Sequence, residues 1–297
     1  MKMKKSLLVL SMMIAGMSFS FGQFSSCKFA EIEKFKQSGT VAVAISDDEE
    51  TNKIAQEVMT SYWTASKVTV IKKSELEAYL KSNPENYVLT YLENNSSSIF
   101  TITNTQMAST NTSGGNTRTK TVADGLILTK NLKKLRKLKP TDAMVYCFID
   151  DELDAADQKA EFIRQVGSMN SILTFPGLKE DKIGGWKVPT LNQKEIIKSE
   201  LWIADVDLSK KGEDPAKMKA AYSPFKYKVV TKEEIAKAII EKKKGVVYAS
   251  HCEDQSGLYM FIIHNTQDNR PLYFMEGTGG FSPKTFDLIK ANKVHGN

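Results

Sequence analysis

The chain has 297 residues, of which 41% are hydrophobic and 26% charged. This composition is typical of soluble globular proteins, and it excludes overall disorder, a collagen-like fibre and a multi-span membrane protein. At about 150 residues per domain, the length predicts two domains or one large domain. The formal net charge is +6.

The first 22 residues have the pattern of a secretory signal peptide. Three lysines precede an apolar run from Leu7 to Phe21, and Ser20 and Gly22 supply small residues at the −3 and −1 positions of a cleavage site. The run is shorter than the roughly 20 residues that span a bilayer. We therefore expect cleavage before Gln23 and export to the periplasm or beyond. Lipid attachment at Cys27 is the alternative, although Phe24 is a poor residue at −3 of a lipoprotein site.

Removal of this leader makes the chain nearly neutral. Without its three lysines, the 41 Lys and Arg become 38, against 35 Asp and Glu, for a net charge of +3. This balance does not indicate a nucleic-acid partner. Three cysteines remain, Cys27, Cys147 and Cys252. An odd number leaves at least one cysteine unpaired, and so few do not form a disulfide scaffold. Cys147 and Cys252 are expected to be small buried hydrophobic residues.

An internal repeat organises the rest of the sequence. A shift of 159 residues aligns Val70 with Val229 and Leu76 with Ile235, and places Tyr87 on Val246. Further along, Ile99 to Ile102 fall on Leu258 to Phe261. After that point the shift drops to about 153. Such self-similarity predicts two copies of one structural unit.

Each copy is read as a β-α-β-α-β-β-β-α unit. In the first copy, the predicted elements are a strand at 40–45, a helix at 47–63, a strand at 68–71, a helix from Ser74, a strand at 87–92, a hairpin of 98–107 and 118–128 around a loop at 108–117, and a helix at 130–138. In the second, they are a strand at 201–206, a helix at 215–222, a strand at 227–230, a helix opened by the capping box Thr231 to Glu234, a strand at 246–250, a hairpin of 258–265 and 271–276, and a helix at 284–292.

The predicted fold class is therefore α/β with α+β character, built from two tandem units whose sheets are mixed. The segment between the units has no repeat partner and holds a strand at 143–149 and a helix at about 153–168. The sequence predicts a signal peptide (1–22), an N-terminal segment (23–39), a first unit (40–138), a connecting segment (139–198) and a second unit (199–297).

The order of elements, with Ser74-Glu75-Leu76 opening a helix directly after the second strand, resembles the amino-terminal domain of TolB-like periplasmic proteins. The leader ending before Gln23, together with Tyr62-Trp63 ahead of a strand, is similar to secreted proteins of Bacteroidota that have no assigned role. Both resemblances imply an envelope compartment. Neither implies a catalytic residue, because a likeness of fold does not carry function.

His251, Cys252 and His264 are the candidate catalytic residues. A Cys–His dyad needs an imidazole close to the thiol. Neighbouring residues of a strand point to opposite faces, so His251 cannot readily activate Cys252, whereas His264 on the next strand could reach one of them. An ordinary strand end is the simpler interpretation of this segment.

Two other patterns, one acidic and one glycine-rich, have simpler explanations than a binding site. The acids at Asp150–Glu152, Asp154 and Asp157 lack the glycine and spacing of a calcium loop, and they suit a helix N-terminus. Gly277, Gly279 and Gly280 could form an anion nest, but the first copy is apolar at the corresponding place. No metal and no cofactor are expected.

The sequence also contains two basic runs. One extends from Lys130 to Lys139 with leucines interleaved among its lysines and arginine, and the other is Lys242–Lys244. Each is interpreted as the solvated face of a local element, with at most peripheral contact to an anionic envelope surface.

The sequence favours an exported, non-enzymatic protein that acts by binding a cell-envelope protein or surface component. The alternative is a small-ligand binder or a hydrolase-type enzyme with its site in the cleft between the units. Convergence of His251, His264, Cys252 and Glu276 in that cleft would favour the alternative, and an apolar, filled junction would favour a scaffold.

Overall fold

Two five-stranded mixed sheets organise the chain. A computed structural model describes residues 29–92, 99–101, 119–121, 125–130, 143–174, 193–253, 258–278 and 280–290. The predicted leader, Cys27, the loop 108–117 and nearly all of the helix predicted at 130–138 lie outside these ranges. Among the described residues, no helix has both the length and the apolar character needed to cross a membrane.

The first sheet has the strand order β2-β1-β3-β6-β7. The elements of this half are α1 (Phe29–Ser38), β1 (Thr40–Val43), α2 (Glu49–Tyr62), β2 (Lys67–Val70), α3 (Leu76–Ser82), β3 (Tyr87–Leu92), β4 (Ile99–Thr101), β5 (Thr119–Thr121), β6 (Gly125–Thr129), β7 (Val145–Phe148), α4 (Asp151–Ala156) and α5 (Gln158–Leu173). Strands β1, β2 and β3 are parallel, whereas β6 and β7 are antiparallel to their neighbours.

The second sheet has the order β12-β11-β10-β8-β9. The elements here are α6 (Gln193–Ile196), β8 (Glu200–Ala204), α7 (Pro215–Tyr222), β9 (Lys226–Val230), α8 (Lys232–Ile240), β10 (Val246–Glu253), β11 (Leu258–Asn265), β12 (Pro271–Thr278) and α9 (Pro283–Lys290). Strands β8, β9 and β10 are parallel, whereas β11 and β12 are antiparallel to their neighbours. The two sheets thus have the same topology, which confirms the predicted α/β class and the two repeated units.

The shift of 159 residues is preserved through the second strands. Lys67 and Lys226 are exposed, and Val68 and Tyr227 are half-buried. The agreement extends to Thr69 and Lys228, which are exposed, but not to Val229, which is 39% exposed where Val70 is half-buried. Because a slip of one residue would exchange the two faces, this agreement supports the predicted register. Leu76 and Ile235 are also both buried, as expected.

Beyond β3 the predicted alignment of the two copies is wrong. Strands β4 and β5 pair only with each other, as a separate ribbon inserted between β3 and β6. The counterpart of β11 is β6, since β6 pairs antiparallel with β3 as β11 pairs antiparallel with β10. The strand predicted at 143–149 without a partner is β7, which is the counterpart of β12. The inserted β4–β5 hairpin has the composition of ordinary strands, so the sequence alignment took it as the counterpart of β11 in place of β6.

Polar side chains at the helix starts explain where several helices begin. The Asp48 carboxylate accepts from the Thr51 amide at 2.7 Å, which caps α2. Thr231 and Glu234 form the predicted capping box of α8. The helix predicted at 153–168 is instead two helices, because the Asp157 side chain caps the start of α5 at the Ala160 amide.

Helix α5 lies at the centre of the molecule and joins the two units. It packs against α2 of the first unit and α8 of the second. Its buried residues occupy every face of the helix, including charged Glu161 and Arg164. The main core is continuous across both halves, and it includes Val43 and Leu89 of the first sheet as well as Trp202 and Tyr248 of the second.

Candidate functional site at the junction of the two units

The structure places the three predicted catalytic candidates in separate surroundings. The His251 ring stacks on Phe261, with ring centroids 5.0 Å apart. Cys252 points to the other face of β10 and is buried with Phe148 and Ile262 between the two sheets. Glu276 pairs with Met260 in the backbone ladder. His251 and Cys252 therefore do not form a Cys–His site.

His264 is a buried structural residue. Its Nε2 lies 2.9 Å from the Ser250 hydroxyl, and its Nδ1 lies 3.2 Å from the Ser168 hydroxyl and 3.1 Å from the Asn269 carbonyl oxygen. Burial, reinforced by the positive charge of Arg164, holds the pKa of His264 well below its usual value. The imidazole is thus neutral, and it fastens the β11–β12 turn to helix α5.

A buried ionic cluster joins the two units close to His251. The Lys232 ammonium at the start of α8 donates to both carboxylate oxygens of Asp150, at 2.9 and 2.8 Å, and lies 3.0 Å from the Asp207 carboxylate. Asp207 in turn lies 3.3 Å from Nδ1 of His251. We call these four residues the junction cluster. Asp150 follows β7, whereas the other three belong to the second unit.

Asp150 also completes the hydrogen bonding of backbone groups at the junction. Its Oδ2 accepts from the His251 amide at 2.8 Å, and its Oδ1 caps α4 at the Leu153 amide. Strand β8 pairs with β10 only at Val246 to Tyr248, so the His251 donor lies past the end of that ladder. A buried amide without a partner would be costly, and the carboxylate of the other unit satisfies it.

A second buried pair extends this network into α5. Arg164 donates to Glu161 through two nitrogens, at 2.6 and 2.5 Å, and to the Phe148 carbonyl oxygen at 2.5 Å. Glu161 accepts from the Asp150 amide at 3.1 Å. The junction therefore holds a connected network of charges from Arg164 to Asp207, in which the two acids Glu161 and Asp150 are linked through the Asp150 amide.

The charges of this network shift one another's pKa values. Burial would raise the pKa of Asp150, but the Lys232 ammonium outweighs it, and the pKa is lowered. Burial would likewise lower the pKa of Lys232, but the Asp150 and Asp207 carboxylates raise it. Burial raises the pKa of Glu161 to about 7 against the opposing charge of Arg164.

The junction cluster occupies the place where ligands bind in many open α/β sheets. Asp207 follows β8, Lys232 follows β9 and His251 lies near the carboxyl end of β10, so all three lie at the carboxyl edge of the parallel strands, at the switch in strand order. Lys232 is 5% exposed and Asp150 is 1% exposed. His251 is the most accessible member, with 13% of its side chain exposed. The first unit thus fills this crevice.

The other sequence candidates have structural roles. The Gly280 backbone packs so closely that a Cβ would lie 2.4 Å from the Asp207 carbonyl oxygen, which accounts for that glycine. Burial raises the pKa of the Cys147 thiol to about 12, so the thiol is unreactive. Within the described ranges, no group of three or more His, Cys, Asp or Glu side chains could hold a metal ion.

An open groove runs along the helices that meet at the junction. It encloses about 540 Å³, within the range of ligand-binding clefts. Its walls come from α2 of the first unit, from the beginning of α5, and from the end of α8 in the second unit. The residues that line it are Gln56, Glu57, Val58, Thr60, Ser61, Tyr62, Lys159, Ile163, Ile240 and Lys242. We call this feature the helix groove.

The groove combines an apolar floor with a polar rim. Val58 and Ile163 are buried, whereas Ile240 at the end of α8 remains 40% exposed. On the rim, the Lys159 ammonium donates to Glu57 at 2.9 Å, and the Lys242 ammonium lies 4.2 Å from the centre of the Tyr62 ring. Exposed apolar area beside polar groups is typical of a surface that contacts a partner.

Comparison with protein-family models, with curated proteins and with solved structures found no match for this chain. The resemblances to TolB-like domains and to secreted Bacteroidota proteins therefore remain predictions. The function must be argued from the geometry alone.

Proposed function

We propose that the chain is an exported, non-enzymatic protein that binds a protein or surface component of the cell envelope through the helix groove. One observation carries this proposal: an open groove of about 540 Å³ is built jointly by both units. A groove of this kind, with an exposed apolar residue on a polar rim, suits a segment of another macromolecule better than an enclosed small molecule.

The buried network gives the groove a rigid support. Opposite charges lie within 2.5–3.0 Å of each other in the three buried ion pairs, and their side chains are at most 5% exposed. Such a network leaves little space for a substrate, and it fixes α5 and α8 relative to each other. Rigid walls favour binding because less conformational entropy is lost on association.

Export is the part of the proposal that rests on the leader alone. Lys2, Lys4 and Lys5 followed by the apolar run to Phe21 support a secretory signal, and Gln23 would be the first residue of the mature protein. The periplasm or the extracellular space would then supply the partner.

Site-specific crosslinking tests the groove directly. A photoreactive amino acid at Ser61, which is exposed in the groove, should capture one partner from the native envelope. The same amino acid at Ala220, exposed on α7, serves as the matched control. The captured partner, once purified, should bind at least tenfold more weakly to Ile240→Glu and to Tyr62→Ala. Equal capture from both positions, or affinities that the two variants leave unchanged, would contradict the proposal.

A second candidate function is favoured by the geometry of His251. Its Nδ1 faces Asp207 at 3.3 Å, as in sites where a carboxylate orients a general base, and the pair lies at the carboxyl edge of the sheet. Hydrolysis of an activated ester such as p-nitrophenyl acetate would test it. If the unmodified protein hydrolyses this ester and a folded His251→Gln variant does not, the result would favour an enzyme over a binding protein.

A further inference from the structure

A group of lysines lies at the amino edge of the second sheet, away from the junction cluster. Glu200 pairs with Lys226 on one side and with Val246 on the other, so strands β8, β9 and β10 begin side by side. Lys242, Lys243 and Lys244 connect α8 to β10 at this edge. Together with Lys226 and Lys228 of β9, they form what we call the lysine patch, and all five are exposed.

The local structure orients these lysines. Lys242 has a φ of 51°, a left-handed conformation that glycine or asparagine adopts more readily. The ammonium groups of Lys228 and Lys243 lie 5.1 and 5.6 Å from the centre of the Trp202 ring. The Thr266 hydroxyl also donates to the Lys243 carbonyl oxygen. The loop is therefore held in place, with its positive charges on one side.

The positive charge of the patch is largely uncompensated. Within the described ranges, Lys226, Lys242, Lys243 and Lys244 form no ion pair. Of the nearby acids, Glu234 pairs with Lys228 at 3.0 Å and Glu241 lies 3.9 Å from Lys237. Glu200 accepts from the Trp202 indole at 2.6 Å, and because the indole is neutral, this one carboxylate remains to oppose the four other lysines.

A helix dipole explains only part of this arrangement. Cations in the last turn of a helix stabilise it, which accounts for one or two lysines after α8. The left-handed Lys242 itself closes α8, because its amide donates to the Ile239 carbonyl oxygen at 3.2 Å and the Lys243 amide donates to the Ala238 carbonyl oxygen at 3.0 Å. Neither the dipole nor this helix end accounts for the exposed lysines of β9, which lie beside the loop.

We propose that the lysine patch binds the surface of an anionic phospholipid bilayer. Each lysine close to such a surface strengthens binding roughly fivefold. Ile240, 40% exposed and two residues before Lys242, adds an apolar side chain that the interfacial region of a bilayer would bury. A nucleic acid would use the charge but not this isoleucine, so the combination favours a membrane surface.

The lysine patch borders the helix groove, since Lys242 and Ile240 belong to both, and the test therefore changes two lysines that do not line the groove. The full mature chain is sedimented with phosphatidylcholine vesicles, with or without phosphatidylglycerol. We expect binding only when the anionic lipid is present, and its loss at 1 M salt, where the screening length falls to about 3 Å. Lys243→Glu/Lys244→Glu should bind at least roughly 25-fold more weakly.

The matched control is Lys210→Glu/Lys211→Glu, which reverses two consecutive exposed lysines after β8, at the opposite edge of the same sheet. It should retain the affinity of the unmodified protein. The proposal is overturned by equal binding to neutral vesicles, by no binding to anionic ones, or by an equal loss in the control. Tighter retention on a DNA duplex or an acidic polypeptide would also overturn it. Neither substitution touches the groove, so failure here leaves the proposed binding function separately testable.

Discussion

Replacement of Lys232 by methionine should destabilise the fold far more than loss of an ordinary lysine. Lys232 is 5% exposed, and its ammonium lies 2.8–3.0 Å from the carboxylates of Asp150 and Asp207. Methionine fills the space but leaves two buried carboxylates without a cation. Breaking a buried ion pair in this way costs about 3–5 kcal/mol, a large share of the roughly 5–15 kcal/mol that stabilises a typical domain.

Urea unfolding of the mature protein measures this cost. The control is Lys237→Met on the same helix, whose only described ion pair, with Glu241, is exposed and 3.9 Å long. Its loss should change the free energy of unfolding by less than about 1 kcal/mol. The double variant Lys232→Met/Asp150→Asn should recover part of the loss, because it removes one unpaired charge while the single side-chain oxygen of asparagine can still accept from either the His251 or the Leu153 amide.

The pH dependence gives an independent check. In the unmodified protein the pKa of Asp150 is lowered, so its contribution to stability is complete above the ordinary value of 3.8 and is lost as pH falls through the folded pKa. In Lys232→Met, burial without the ammonium should raise the pKa of Asp150, and protonation should remove its unpaired negative charge. The cost of the substitution should therefore shrink between pH 7 and pH 4. A cost no larger than that of Lys237→Met, or one independent of pH, would refute this account of the junction cluster.

Three further predictions follow from the same structure. The pKa of buried His264 lies well below 6.5, so the unfolded chain binds the extra proton, and the contribution of His264 to stability should fall by up to about 1.4 kcal/mol per pH unit below pH 6.5. Glu161, whose pKa is raised to about 7, has the opposite slope in this range, so the test is the difference in unfolding free energy between the unmodified protein and His264→Gln in urea melts from pH 7.5 to 5, and a difference independent of pH would contradict the prediction. Truncation of Leu76 or Ile235 to alanine should cost about 2–5 kcal/mol in the same assay, because both are buried aliphatic residues; a cost below about 1 kcal/mol would contradict the proposed packing. N-terminal sequencing of the protein from cells should begin at or near Gln23, and an uncleaved leader or a lipid on Cys27 would show that the predicted processing is wrong.

The repeated fold could be read from the sequence because local signals in both copies are strong. Apolar runs of strand length, the Thr231 cap and the shared alternation at the beginning of β2 and β9 specify a parallel β-α-β-α-β start. The end of the unit could not be read in the same way. Strand pairing is a non-local property, and the inserted ribbon β4–β5 has the composition of an ordinary hairpin, so it displaced β6 and β7 from their true counterparts.

The junction cluster was beyond the reach of sequence reasoning for a related reason. Lys232 directly follows a helix cap, where a lysine normally faces solvent, and Asp150 is one of several acids at a helix start. Glu161 and Arg164 lie three residues apart in α5, which usually indicates an exposed pair. Only the packing of α5 between the units makes these charges buried. Opposite orientations of His251 and Cys252, in contrast, follow from strand geometry alone and were predicted correctly.

Comparison of the carboxyl edges of the two sheets indicates why the binding surface should lie among the helices. In the first sheet, the loop after β1 uses Asp47 to accept from the Ser74 amide at 2.7 Å and Asp48 to cap α2, so its acids are committed to the fold. In the second sheet, Lys232 and Asp150 close the corresponding crevice. On the described residues, both of the usual ligand positions of an open α/β sheet are thus occupied by the protein's own side chains. Duplication nevertheless created a surface that neither unit has alone, since α2 and α8 face each other across α5. The helix groove is that surface, and a partner that binds there would contact both units at once.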